Sequence, residues 1–179
     1  MKITRVFSIP NRYTFDMPIV KKILNQYVGD GKGWVDPFAG NNSPAEFTND
    51  LNPETKAIRH LHAVDFCKML NGVYDGILFD PPYSIRQAKE CYEGFGETLF
   101  KEDAMRFPSN VKREIYKKIK VGGYAISFGW NSSGFGKRMG FEVIEVYLIN
   151  HKRRSNDTIV TIERKITKGI FDLMKEDKV

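Results

Sequence analysis

The sequence predicts a doubly wound α/β sheet that ends in an antiparallel pair, on three observations. Two apolar runs, Trp34-Val35 and Ile77-Leu78-Phe79, each deliver an acidic residue into a Pro-containing turn. In open α/β sheets that is how a buried parallel strand presents polar groups to a ligand cleft. Strand-like and helix-like segments alternate between these landmarks, the pattern of βαβ units. Finally, the β-branched and aromatic runs Phe141 to Ile149 and Thr158 to Ile166 are separated by a polar loop and read as a terminal hairpin.

In chain order, a helix is expected near Pro18 to Val28, followed by strands at Trp34 to Asp36, near Thr48 to Asp50, near His62 to Asp65 and at Gly76 to Asp80. Val111, Ile115 and Ile119 recur every four residues and so share one helical face. Pro108-Ser109 suits the start of that helix and Gly122-Gly123 its end. Tyr124 to Phe128 is the next strand.

The chain has 179 residues, 41% of them hydrophobic, which suffices for one substantial core and one domain over 1–179. Twenty-eight Lys and Arg against 22 Asp and Glu leave a net charge of +6, and the isoelectric point is near 9.2. That balance suits a polyanionic partner. The two cysteines, Cys67 and Cys91, are far apart, which points to neither a disulfide framework nor a zinc site and makes a reducing cytosol the default. His60 and His62 have no third ligand nearby, so no metal is expected. No apolar stretch approaches the roughly 20 residues that a bilayer span needs, and the N-terminus has no apolar core of a signal peptide. Lys117, Lys118 and Lys120 read as a solvated helix face. Ile170, Phe171, Leu173 and Met174 suggest a short amphipathic helix packed on the domain.

The tetrapeptide Asp80-Pro81-Pro82-Tyr83 carries the most chemistry. Two prolines in succession end a strand ladder and leave the Asp80 carboxylate and the Pro81 carbonyl as acceptors. A planar amino group fits between such acceptors, and Tyr83 adds an aromatic face within the same turn. Together they suit a nucleobase with an exocyclic NH2 that has been drawn out of its stack.

Taken with Asp36-Pro37-Phe38-Ala39-Gly40, this tetrapeptide resembles the motifs of the S-adenosylmethionine-dependent amino-methyltransferases that modify adenine N6 or cytosine N4 in DNA. Asn11-Arg12-Tyr13-Thr14-Phe15 with Pro18-Ile19, Thr48-Asn49-Asp50-Leu51-Asn52-Pro53, Val64-Asp65-Phe66 and Gly122 to Gly129 are similar to further segments of that family, so the likeness covers most of the chain. It implies a Rossmann-like class I fold, a mostly parallel seven-stranded sheet in the order 3-2-1-4-5-7-6. S-adenosylmethionine is the implied cofactor. Asp36 would accept from the methionine ammonium and Phe38 would cover the sulfonium, with Pro37, Ala39 and Gly40 shaping a narrow turn. Asp50, followed by Leu51, would take both ribose hydroxyls. Asp65 would accept from the cofactor's adenine amino group with Phe66 beside the ring, and Thr14 and Phe15 would close the pocket around the methionine carboxylate. For Asp50 the residues also allow a structural role, with Asn52 capping a helix that begins at Pro53.

The resemblance makes Asp80, Pro81, Pro82 and Tyr83 the catalytic segment and nucleic acid the partner, DNA first, because Asp at the head of the tetrapeptide leans toward adenine N6. Cytosine N4, RNA bases such as guanine N2, and a non-catalytic cofactor-binding subunit are the alternatives. The polar loop His151 to Asp157 lies where the family contacts bases, which singles out Lys152, Arg153, Arg154 and Asn156. No segment is long enough for a separate target-recognition domain. Selectivity would then come from Ser84 to Phe107, read as a mobile lid or base-reading loop, or from a partner protein.

Overall fold

The computed structural model describes residues 1–11, 13–96, 101–152 and 156–169, with residues 101–104 described in their backbone only. One seven-stranded sheet organises them. Its strands are β1 (Lys2–Phe7), β2 (Trp34–Asp36), β3 (Phe47–Thr48), β4 (Tyr74–Phe79), β5 (Ile119–Gly129), β6 (Phe141–Asn150) and β7 (Thr158–Lys165). They lie in the order β1-β6-β7-β5-β4-β2-β3. All neighbouring pairs are parallel except those made by β7, which runs antiparallel to both β5 and β6. The carboxyl ends of the other six strands therefore share one edge.

Alternate residues of the central strands feed two cores, as the period of two along a strand requires. Ile77, Phe79 and Ala125 face α2 (Ala63–Met69), α3 (Ile85–Glu93) and α4 (Lys101–Ile115). Leu78, Ile126 and Ile162 face α1 (Pro18–Tyr27), which buries Val20, Ile23 and Leu24 on the opposite side. Pro18 opens α1 at a position whose N–H would have no intrahelical partner.

The doubly wound sheet and its terminal hairpin match expectation, but one strand changes place. His62 to Asp65 is not a strand. Ala63, Phe66, Cys67 and Leu70 are all buried, and that spacing of three, four and seven is helical. His62 caps the resulting α2, accepting from the Val64 N–H at 3.3 Å. The seventh strand is instead β1, unanticipated from sequence, which pairs with β6 at the opposite border of the sheet. As a border strand it buries little, so its apolar pattern is weak.

Three smaller expectations also change. Pro108 lies inside α4, and Ile119 begins β5 instead of continuing the helix. Lys118 is not merely solvated: its ammonium donates to the carbonyls of Cys67 (2.6 Å), Lys68 (3.0 Å) and Leu70, which caps the C-terminus of α2. Lys120 pairs with Asp75 at 2.5 Å. The stretch Ser84 to Phe107 is helical over much of its described length, with the Ser84 hydroxyl capping α3 by accepting from the Gln87 N–H at 3.1 Å. Ile170, Phe171, Leu173 and Met174 lie outside the described residues, as do Arg12 and Phe100. Among the described residues no helix is long and apolar enough to cross a membrane.

Candidate active site

A cleft of about 370 Å³ opens at the carboxyl ends of β2, β3 and β4, within the usual range for small-molecule sites. Thr14, Pro37, Phe38, Asp50, Leu51 and the whole of Asp80-Pro81-Pro82-Tyr83 line it. These all come from the sequence reading. The cleft also takes in Gln87, Cys91 and Tyr92, from the stretch expected as a lid or base-reading loop, and Asn49, Leu61 and Ala63, for which no binding role is expected from sequence.

Asp80 emerges from the end of β4 into a partly buried position. Burial pushes its carboxyl up to about 6, against the stabilising hydrogen bonds of Tyr83 and Thr14. The Tyr83 hydroxyl donates to Asp80 Oδ1 and lies 3.5 Å from Thr14 Oγ1. Burial, with Asp80 beside it, raises the phenol in turn. The Tyr83 N–H donates to Gln87 Oε1 at 2.9 Å, so the first turn of α3 holds the tetrapeptide in register.

Asp50 lies at the end of β3, and its carboxylate already accepts from the Gly40 N–H and the Asn52 N–H, both at 2.9 Å. The first bond ties the loop after β2 to the loop after β3. Gly40 itself has φ of +53°, a conformation that L side chains rarely adopt. No helix begins at Pro53: residues 51–57 form a turn at Pro53 and Glu54 flanked by bends. A carboxylate has about four acceptor positions, so Asp50 keeps capacity for a ligand on its cleft side.

Asn49 holds these loops together. Fully buried, it donates from Nδ2 to the carbonyls of Pro37 (3.2 Å) and Leu61 (2.9 Å) and accepts from the Leu61 N–H (2.9 Å). It thereby sets the distance between the loop after β2 and the start of α2. An asparagine amid polar turn residues carries no sequence signal of such a role, since its partners are main-chain groups.

Other residues expected at the cofactor stand away from the cleft lining. Asp36 is fully buried beneath its own loop, where it accepts from the Phe38 N–H (2.9 Å) and the Ser43 hydroxyl (2.7 Å), and it is not a lining residue. Ala39 is buried beside it, its N–H donating to the Asn49 carbonyl at 2.8 Å. Phe15 packs into the α1 core against Phe128, with ring centroids 5.2 Å apart. Asp65 is exposed on α2 and pairs with Lys68 at 3.4 Å, while Phe66 is buried in the other core. Once residues 63–69 become a helix, neither of these last two stands at a strand end.

Burial pushes the Asp36 carboxyl up to about 7, with Asp80 and Asp50 adding like charge, so the three acidic groups do converge at one edge. A folded value above the unfolded 3.8 means that the native state binds the proton more tightly. This contribution to stability is therefore complete below about pH 4 and is lost as pH rises to about 7. Asp36→Asn, which keeps an acceptor for Phe38, is expected to flatten the pH dependence of the melting temperature across that window. Differential scanning calorimetry between pH 4 and 8 checks it, and an unchanged slope would refute it.

The loop after β5 adjoins the cleft through Tyr83. Trp130 sits edge-on to Tyr83, their centroids 5.7 Å apart. Beyond it, the buried Glu163 carboxylate accepts from the N–H groups of Phe135 (2.6 Å) and Gly136 (2.8 Å), and the Lys112 ammonium donates to the carbonyls of Ser133 (2.9 Å) and Gly134 (2.8 Å). A Cβ on Gly134 would lie 2.0 Å from the Glu163 carboxylate, so only glycine fits there. At the hairpin tip Lys152 and Asn156 are exposed, and the Lys152 ammonium lies 4.3 Å from the centre of the Phe7 ring. Arg153 and Arg154 lie outside the described residues. No group of three or more His, Cys, Asp or Glu suited to a metal ion occurs among the described residues.

No family model matches the chain. Solved structures do resemble it. TrmN from Thermus thermophilus is 15% identical with a TM-score of 0.55, the match covering 84% of this chain and 49% of TrmN. The provisionally assigned methyltransferase yhhF from Escherichia coli is 8% identical with a TM-score of 0.54, covering 89% of this chain and 91% of that one. The provisionally assigned methylase HI0767 from Haemophilus influenzae is 10% identical with a TM-score of 0.51, covering 89% and 92%. This chain thus spans about half the length of TrmN. At such identities the likeness defines the fold, a Rossmann-like sheet of the methyltransferase type.

Proposed function

We propose that the chain is a methyltransferase that moves a methyl group from S-adenosylmethionine to the exocyclic amino group of an everted nucleobase, adenine N6 in DNA first. The observation that carries this reading is that the Asp80 carboxylate, the Pro81-Pro82 turn and the Asp50 carboxylate line one cleft. The residues present fit the cofactor: Asp50 offers oxygens to a ribose diol, Leu51, Leu61 and Ala63 offer apolar surface to an adenine ring, and Thr14 and Phe38 line the same cleft as Asp80. When bound, the cofactor supplies an electrophilic methyl group.

The chain's own residues supply the rest. An amino group conjugated to a heterocycle delocalises its lone pair and is a poor nucleophile while planar. Asp80 and the Pro81 carbonyl each accept one of its N–H bonds, which favours a pyramidal nitrogen whose lone pair points toward the donor. The nitrogen becomes strongly acidic only once methylated, so Asp80 takes the proton late and suffices as a base of moderate strength. Tyr83 covers the ring. Target selection by a protein partner, as expected from the sequence, belongs to the same proposal.

Incubating the purified chain with labelled S-adenosylmethionine and duplex DNA, single-stranded DNA or RNA, then digesting to nucleosides, is expected to yield N6-methyladenine. Bound cofactor without transfer to any of these would overturn the reading in favour of a cofactor-binding subunit. A different methylated nucleoside would reassign the substrate.

A further inference from the structure

The chain has two tryptophans in contrasting settings: Trp34 is 3% exposed in the core, and Trp130 is 41% exposed beside Tyr83, which lines the cleft. Exposure alone is ordinary for a single aromatic, but Trp130 is set against Tyr83, a cleft residue, and tryptophan is enriched where proteins bind partners. Its position is not loose. Trp130 follows directly on β5, and the four hydrogen bonds from Glu163 and Lys112 pin the loop just beyond it. Asn131 closes the intervening turn by accepting from the Ser133 N–H at 2.9 Å. On its other side the ring meets Tyr83 at an interplanar angle of 72°.

We propose that Trp130 is a second base-stacking surface, holding the nucleotide adjacent to the everted one, and that it fits single-stranded nucleic acid in preference to duplex. This rests on the nucleobase reading of the cleft above. Tyr83 turns its hydroxyl inward to Asp80, so its edge-on neighbour presents the next aromatic face beside the cleft. In a duplex the flanking base stays paired and stacked on its outer neighbour even after the target is everted, so swinging it onto Trp130 would require opening a second pair at a further cost of a few kcal/mol. A single strand offers its base faces without that cost, and stacking on aromatics combined with basic groups is how such strands are bound. Lys152, on the hairpin tip at the same edge of the sheet, supplies a cation for the phosphates.

The test is a fluorescence titration of the full chain with a single-stranded DNA 12-mer, its RNA equivalent and the matching DNA duplex, in the presence of S-adenosylhomocysteine. Single strands are expected to quench the emission of Trp130 while buried Trp34 stays bright. Trp130→Ala is expected to lose the quench and roughly 5- to 160-fold in single-strand affinity, the range for one base–aromatic stack. Trp130→Phe should keep most of the affinity. The DNA and RNA arms identify the favoured strand. Equal single-strand affinity for Trp130→Ala and the parent, read by anisotropy of a labelled strand, would overturn the proposal, as would tighter binding of the duplex by the parent. Either result leaves the methyl-transfer reading standing if transfer is observed. Absence of transfer alongside Trp130-dependent binding would instead remove the catalytic reading alone.

Discussion

Asp80→Ala is expected to slow methyl transfer at least roughly 100-fold, the cost of removing a positioned acceptor at a reacting centre, while leaving affinity for S-adenosylhomocysteine within about twofold. The carboxylate stands at the end of β4, where the Pro81-Pro82 turn stops the ladder, and its proposed work is done on the substrate amino group. Single-turnover rates and calorimetric titration measure the two quantities separately. Parallel losses in both would mean that Asp80 shapes the cofactor site. Tyr83→Phe belongs to the same experiment. It keeps the ring but removes the hydroxyl that donates to Asp80, a bond that stabilises the carboxylate. Transfer should rise with pH as Asp80 ionises near 6, and without the hydroxyl that rise should move to higher pH. A limb that stays put or moves to lower pH would refute the assignment of Asp80 as the titrating base.

The second large effect is expected at Asp50. Asp50→Ala should weaken S-adenosylhomocysteine binding by roughly 10- to 100-fold, because hydrogen bonds to a charged group contribute about 1.5–3 kcal/mol. Two consequences combine: the ribose loses its acceptor, and the Gly40 N–H loses the carboxylate that tethers its loop. Asp50→Asn, which keeps one acceptor oxygen for that tether, should bind with intermediate affinity. Wild-type affinity for Asp50→Ala, measured calorimetrically on a protein with unchanged melting temperature, would exclude Asp50 as the diol acceptor.

Much of the edge that carries the cleft is legible from local pattern. An apolar run that ends in Asp-Pro-Pro must leave the sheet there, whatever packs around it, so Asp80 and its turn were placed correctly, as was Asp36 at the end of its own strand. Direction of a side chain is another matter. Asp36 and Asp50 have similar local contexts, yet one is turned beneath its loop by Ser43 and the Phe38 N–H while the other reaches the cleft. That difference depends on loops brought together by Asn49, whose partners are main-chain groups distant in sequence. Residues 63–69 show the complementary failure. Their apolar residues have helical spacing in the sequence itself, and in the fold that spacing prevails over the local likeness to an acidic strand end, which carries Asp65 to an exposed helix face and Phe66 into the core.

By itself, then, the sequence determined what depends on neighbours along the chain: the alternation of elements, the turns that end β2 and β4, the terminal hairpin and the acidic groups those turns carry. Only the tertiary structure decided which border receives the seventh strand, which carboxylates face the cleft, and that Trp130 stands against Tyr83. Those outcomes follow from burial and hydrogen bonding between segments far apart in sequence, such as Glu163 on β7 holding the loop after β5, and no local pattern encodes them.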